Sequence, residues 1–159
     1  MNRQRGFTLV ELIVALAIVA IVLTLGVPGF NDLIRNNRMT AQVNQVVSAL
    51  ALARSEAVKR GASVDVSTTS GGANWKNGWT VELSVGGDDI RVFEAQEGNH
   101  SLVADGGHST FTYDPQGFLR TNCAGNCTIT LCENGGEPGR QLSIAPSGHL
   151  SVNGSYVCP

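Results

Sequence analysis

The stretch Gly6-Phe7-Thr8-Leu9-Val10-Glu11 opens an apolar run that continues to Val27. Between Phe7 and Val27 the only charged side chain is that of Glu11. A helix of about 20 residues rises about 30 Å, which matches the thickness of a bilayer's hydrocarbon core. The run therefore predicts a transmembrane helix over residues 7–27, preceded by a short leader at residues 1–6.

The leader is basic, since it contains Arg3 and Arg5. Basic residues before a membrane helix favour a cytoplasmic N-terminus, which puts the rest of the chain outside the cytoplasm. The alternative is a secretory signal peptide, which would be cut at small residues such as Ala20 or Gly26.

Glu11 is the second unusual feature of the run. A carboxylate inside a membrane segment costs a few kcal/mol unless it is paired, so such a residue is a candidate functional residue. The alternative is a glutamate near the membrane surface that is merely tolerated.

The motif from Gly6 to Glu11, followed by an apolar helix, resembles the processing site of type IV pilins and type II secretion pseudopilins. The resemblance implies that a prepilin peptidase cuts between Gly6 and Phe7, that Phe7 becomes N-methylated, and that Glu11 serves in assembly. Among packed apolar helices an unpaired Glu11 would be costly. A Glu11 that faces the Phe7 ammonium group of a neighbouring subunit would be neutralised and would set the stagger between subunits.

Beyond Val27 the helix is expected to kink at Pro28 and to resume over residues 28–60, with Gly61 as its cap. Apolar residues at helical spacing form one stripe, and the opposite face, which includes Gln42 and Arg54, is polar. We expect the stripe to pack on a sheet, with a coiled-coil partner as the alternative. The apolar positions of the resumed helix are Phe30, Leu33 and Ile34, and then, with the spacing of one stripe, Val43, Val46, Val47, Leu50, Ala53, Ala57 and Val58.

After Gly61 the apolar period changes to two, which predicts short antiparallel strands joined by hairpins. The predicted fold class is α+β, with a long N-terminal helix packed on an antiparallel β-sheet head, as in pilins. The predicted domains are the leader 1–6, the membrane helix 7–27, the amphipathic helix 28–60 and the head 61–159. Strands are predicted near residues 63–67, 79–85, 90–93, 111–113, 118–119, 128–131, 142–144 and 150–152.

Two segments of the head, residues 111–117 and 142–150, resemble the GspH/FimT/FimU class of minor pilins and pseudopilins. This resemblance implies a non-enzymatic minor type IV pilin that primes or caps pilus assembly at the inner membrane. The alternatives are a type II secretion minor pseudopilin of the H type, a DNA-binding minor pilin of a competence pilus, and a membrane-anchored secreted enzyme. No P-loop, GxSxG or HExxH motif is present to support an enzyme.

The resemblance also implies the partners and the location. The expected partners are other major and minor pilins, the prepilin peptidase, the assembly platform of the inner membrane, and membrane lipid before assembly. The protein is expected to cross the inner membrane once, with its head in the periplasm, and then to enter a pilus or pseudopilus near the tip. No cofactor is predicted.

The charge of the head argues against nucleic acid as a partner. The whole chain has a formal net charge of −2, but beyond Arg60 four basic residues stand against ten acidic ones. Such a head has no general attraction to phosphate backbones. DNA-binding members of the class carry arginines after the last Ser-Gly turn, whereas here Gly148 is followed by His149, Leu150 and Ser151. Arg120 and Arg140 are the only basic residues expected near enough to bind DNA there.

All four cysteines lie in the last third of the chain, as expected for a head in an oxidising compartment. Four cysteines allow three pairings. The favoured pairing joins Cys123 to Cys127 around a Gly-containing turn and Cys132 to Cys158 near the chain end. The alternative is a zinc site, which the spacing supports poorly.

The remaining candidate residues are aromatic. His100, His108 and His149 lie on predicted turns or strand edges, so solvated histidines are expected rather than metal ligands or bases. Trp75 and Trp79 flank a polar loop, and one is expected in the core while the other serves as an exposed contact residue.

Overall fold

The computed structural model describes residues 7–133 and 136–159, without the side chains of residues 25–29. The predicted leader, including Gly6, therefore lies outside the described residues. So does the side chain of Pro28, and the kink predicted there stays a prediction.

Helix α1 (Leu9–Arg60) contains 52 residues. It ends in a Schellman cap: Gly61 has φ 62°, and the Ala62 N–H donates to the Ala57 carbonyl at 3.3 Å. Lys59 and Arg60 lie in the last turn, where the helix dipole favours cations. The helix thus ends where the sequence predicts.

The chain forms two compact units, Met1–Arg38 and Met39–Pro159. In the first unit the large apolar side chains of α1 that the structure describes lie exposed, Leu9 to 73%. Within the ranges that the structure describes, no helix combines the length and the apolar character needed to cross a membrane. The membrane-spanning role and the domain bounds given above stay predictions.

The second unit, here called the head unit, combines the end of α1 with two four-stranded antiparallel sheets. The first sheet has the order β3-β2-β1-β5 and the second β4-β6-β7-β8. The strands are β1 (Val64–Thr68), β2 (Trp79–Leu83), β3 (Asp89–Phe93), β4 (Ser101–Ala104), β5 (Thr110–Tyr113), β6 (Cys127–Cys132), β7 (Pro138–Ile144) and β8 (Leu150–Val157).

This architecture confirms the predicted α+β class with a helix on antiparallel sheets. The strands, however, pair in a different order from the one predicted. The sequence suggested successive hairpins, whereas β1 pairs with β5 and β4 pairs with β6 across long segments of chain. Strand β4 was not predicted, and the strand predicted at residues 118–119 is a single bridge between Tyr113 and Leu119.

The core of the head unit lies between the helix stripe and the sheets. From Val43 to Ala57 the predicted stripe is buried, apart from the partly buried Val47, whereas Val58 is 54% exposed. Two predictions about the core were wrong. Gln42, placed on the polar face, is buried, and Trp75 and Trp79 are both fully buried.

Candidate functional site

The N-terminal segment begins with a reciprocal capping arrangement between Thr8 and Glu11. The Thr8 N–H and the Thr8 hydroxyl both donate to Glu11 Oε2 at 2.9 Å, and the Glu11 N–H donates to Thr8 Oγ1 at 3.3 Å. This is the capping box that a Thr-x-x-Glu sequence forms at the start of a helix. Glu11 therefore lies in the first turn of α1, close in sequence to Phe7.

Around this carboxylate the helix surface is apolar and uncovered. Phe7 is 90% exposed, and large apolar side chains remain more than half exposed on all sides of the helix as far as Leu23. Such a continuous apolar surface marks a site of contact with lipid or with other proteins. Glu11 is the one charge on this surface.

In the head, Arg54 joins two turns to the helix. Its Nε donates to the Gly117 carbonyl and its Nη2 to the Ser147 carbonyl, each at 3.0 Å. Gly117 has φ 82° and Gly148 has φ 77°, and a Cβ on Gly148 would overlap the Gly117 carbonyl. Glycine at both positions allows the two turns to approach each other and the arginine.

The first of these turns is fixed by Asp114. Its Oδ1 accepts the Gln116 N–H at 3.0 Å and the Phe118 N–H at 2.8 Å. Arg120 approaches Oδ2 to 2.6 Å as an ion pair. Burial raises the pKa of the Asp114 carboxyl, but the two backbone donors and Arg120 outweigh burial, so the pKa is lowered from its ordinary value.

The arginines that could have formed a phosphate site are engaged within the chain. Arg120 is paired with Asp114, and Arg140 Nη1 donates to the carbonyls of Gly139 and Gly154 at 3.0 and 2.7 Å. Arg54 is held by two carbonyls as well. Phosphate binding at the last hairpin would have to compete with these bonds.

His100 corrects the expectation of a solvated histidine. It is buried, with Nδ1 3.4 Å from Gln42 Nε2 and Nε2 3.1 Å from Gln96 Oε1. Gln96 in turn donates to the Gln42 carbonyl at 3.0 Å. The three side chains form a polar cluster that links α1 to the segment before β4. The one feature of the sequence that could have indicated this buried cluster is Gln42, which directly precedes Val43 of the apolar stripe.

His108 lies beside a cysteine, and His149 is exposed on the last turn. His108 Nε2 is 3.5 Å from Cys123 Sγ, and the structure joins Cys123 to Cys127 and Cys132 to Cys158. This is the pairing that the sequence favoured. Among the residues described, no group of three or more metal-ligating side chains comes together.

Comparison with known proteins places these features in a family. Residues 42–148, more than half of the chain, match the family described as "Type II transport protein GspH". The chain belongs to the GspH family. Residues 1–27 of this GspH-family chain also match the "Prokaryotic N-terminal methylation motif".

Individual relatives agree with the family. The chain is 32% identical to a "Fimbrial protein" of Pseudomonas aeruginosa over 113 residues, 69% of this chain and 73% of the relative. It is 32% identical to "Prepilin peptidase-dependent protein D" of Escherichia coli (strain K12) over 74 residues, 46% of this chain and 49% of the relative.

A solved structure has the same fold. The crystal structure of the type IV minor pilin FimU of Pseudomonas aeruginosa matches with a TM-score of 0.68 and 21% identity, and the match covers 79% of this chain and 95% of FimU. The GspH-family chain is thus a type IV pilin or a GspH-like pseudopilin. The family and its motif imply association with other pilins and processing by a prepilin peptidase.

Proposed function

We propose that this chain is a minor type IV pilin that primes or caps pilus assembly at the inner membrane. Residues 7–27 hold it in the membrane with the head in the periplasm, and after processing they pack among the helices of neighbouring pilins. The methylation motif, the fimbrial relative and the exposed apolar surface of α1 support this proposal.

The observation that carries the proposal is the position of Glu11. It is the one charge on the exposed apolar surface, and its carboxylate is already oriented by Thr8. A carboxylate offers about four lone-pair sites, so capping by Thr8 leaves acceptor capacity for an ammonium group. The Phe7 ammonium group of a processed neighbour would neutralise Glu11 and fix its axial position.

Processing can be tested by mass spectrometry of the protein extracted from membranes. We expect residues 1–6 to be absent and Phe7 to be the N-methylated first residue. An intact Met1, or a chain that begins near Ala20, would contradict the proposal.

Assembly can be tested with variants that separate charge from capping. Glu11→Gln keeps an acceptor for the capping box but removes the charge, whereas Thr8→Val keeps the charge and removes the hydroxyl. We expect Glu11→Ala and Glu11→Gln to be processed but absent from sheared pili, and Thr8→Val to be incorporated. Incorporation of Glu11→Gln at the wild-type level would disprove the charge pairing.

A second candidate function, the H-type pseudopilin of a type II secretion system, is favoured by the description of the matching family. Deletion of the gene distinguishes the two. Loss of surface pili with normal protein secretion supports the pilus, and the reverse result supports the secretion system.

A further inference from the structure

The two sheets of the head unit have four outer edges, and two of these edges are covered by other segments of the chain. The edge of β5 is covered by the segment after the Asp114 turn, where Tyr113 bridges Leu119 and the Arg120 N–H donates to the Thr112 carbonyl at 2.8 Å. The edge of β4 is covered by residues 73–74, since Asn74 bridges Val103 and the Ala104 N–H donates to the Ala73 carbonyl at 3.2 Å.

The remaining two edges, β3 and β8, differ in charge and length. Strand β3 has five residues and carries Asp89 and Arg91, and charges are a usual protection of an exposed edge. Strand β8 has eight residues, Leu-Ser-Val-Asn-Gly-Ser-Tyr-Val, with no charge and no proline. It is the last strand of its sheet, and it pairs only with β7 among the described strands.

The register of the last hairpin shows which groups of β8 point outward. The Ala145 N–H donates to the His149 carbonyl at 2.9 Å, so this facing pair is hydrogen-bonded. In an antiparallel ladder hydrogen-bonded and non-hydrogen-bonded pairs alternate. Ser151 therefore bonds to Ser143 on β7, while Leu150 and Val152 direct their N–H and C=O groups away from β7.

The edge is also held in place at its far end. The Cys132–Cys158 bridge fixes the residue after β8 to the end of β6, and the Cys158 N–H donates to the Glu137 carbonyl at 3.1 Å. Arg140 donates a hydrogen bond to the Gly154 carbonyl at 2.7 Å, so the backbone groups that remain open to a partner lie in the first half of the strand. A strand fixed in this way loses little conformational entropy on pairing.

We propose that the Leu150–Val152 edge of β8 is a docking strand for the head of a different pilin-class subunit. The occupant is an uncharged extended strand of that subunit, which adds to the sheet by main-chain hydrogen bonds. Because β8 carries no charged side chain, it offers no ion pair to a charged strand, and main-chain hydrogen bonds alone would hold the partner. A second copy is disfavoured, because two copies of residues 61–159, each with ten acids against four bases, repel each other. The inference rests on the proposed function for the class of its partner.

Hydrogen exchange of the full chain tests the pairing directly. The Val152 amide should exchange more slowly in isolated filaments than in detergent-solubilised single chains, on the order of tenfold or more. If the chain is present in filaments and the Val152 amide exchanges as in detergent, the docking strand is wrong. If the chain never enters filaments, the proposed function fails instead, which keeps the two failures distinct.

A pair of variants and a cross-link complete the test. Val152→Pro removes the outward N–H and no hydrogen bond to β7, and proline is found at such edge positions; Val152→Thr is the matched control. We expect Val152→Pro to be lost from filaments and Val152→Thr to be retained; equal incorporation of the two folded variants overturns the proposal. A photoreactive residue at the exposed Ser151, within the open part of the edge, should cross-link to a strand of another pilin-class subunit. A cross-link to a second copy, or to lipid alone, overturns it.

Discussion

Asp114 shows how burial and hydrogen bonding act in opposite directions on one carboxylate. Its lowered pKa means that the folded state binds the proton more weakly than the unfolded state. The carboxylate therefore contributes stability above the unfolded aspartate pKa of about 3.9, and that stability is lost as pH falls through the folded pKa.

The first prediction concerns this acid sensitivity. Asp114→Asn should lower the thermal midpoint at pH 7, because it removes the charge that pairs with Arg120, and should flatten the fall of the midpoint below about pH 4. Fluorescence of the buried Trp75 and Trp79 can follow unfolding in detergent. Asp88→Asn, in an exposed turn, is the control and should keep the wild-type profile.

Tyr113 presents the opposite case, a buried hydroxyl with no hydrogen-bond partner in the described part of the chain. Burial raises the pKa of Tyr113 to about 12, although Arg54 opposes the shift. Its neutral form thus contributes stability that is complete below about pH 10 and is lost as pH rises through the folded pKa.

We predict that Tyr113→Phe raises the free energy of unfolding by about 1 kcal/mol at pH 7, since an unpaired buried hydroxyl is removed. The variant should also lose less stability than wild type between pH 10 and pH 12. Urea unfolding at pH 7 measures the first effect, and urea unfolding at pH 10 and pH 12 measures the second. Tyr156→Phe is the control, and a destabilised Tyr113→Phe would show that the hydroxyl has a partner.

At the scale of elements, Arg54 connects the helix to the turns at residues 114–117 and 146–148. Arg54→Met keeps the length of the side chain but removes both donors, so we expect a loss of about 1 kcal/mol and faster amide exchange in the two turns. Lys59→Met, on the same helix but in an exposed pair with Glu56, should change little. If the amides of the two turns exchange equally fast in both variants, Arg54 does not hold the turns against the helix.

The sequence predicted elements with strong periodicity and missed those that depend on distant contacts. Helix α1 and its Gly61 cap follow from local chemistry. Strand β4 has only four residues, and it is stabilised by pairing with β6 and residues 73–74, which no local pattern reveals. Gln42 and His100 were assigned to solvent because their types are polar. Their burial depends on Gln96, which lies more than 50 residues from Gln42.

At the scale of the whole molecule, the two disulfides act on very different lengths of chain. Cys123 and Cys127 are separated by four residues, whereas Cys132 and Cys158 are separated by 26. In the chain-entropy model the longer loop contributes about 3.5 kcal/mol and the shorter about 2 kcal/mol. The longer bridge also fixes Cys158, the residue after β8, so its loss should increase the mobility of β8 as well as lower the stability.

The last prediction follows from that difference. The double variant Cys132→Ala/Cys158→Ala should lose about 3.5 kcal/mol of unfolding free energy, against about 2 kcal/mol for Cys123→Ala/Cys127→Ala. Amide exchange should rise in β8 only in the former, because β8 then keeps β7 pairing but no anchored end. Unfolding in urea and exchange measured on the same samples test both statements. Equal losses with no change in β8 would mean that the strand is held by its hydrogen bonds alone, and the bridge would then have no part in ordering the edge.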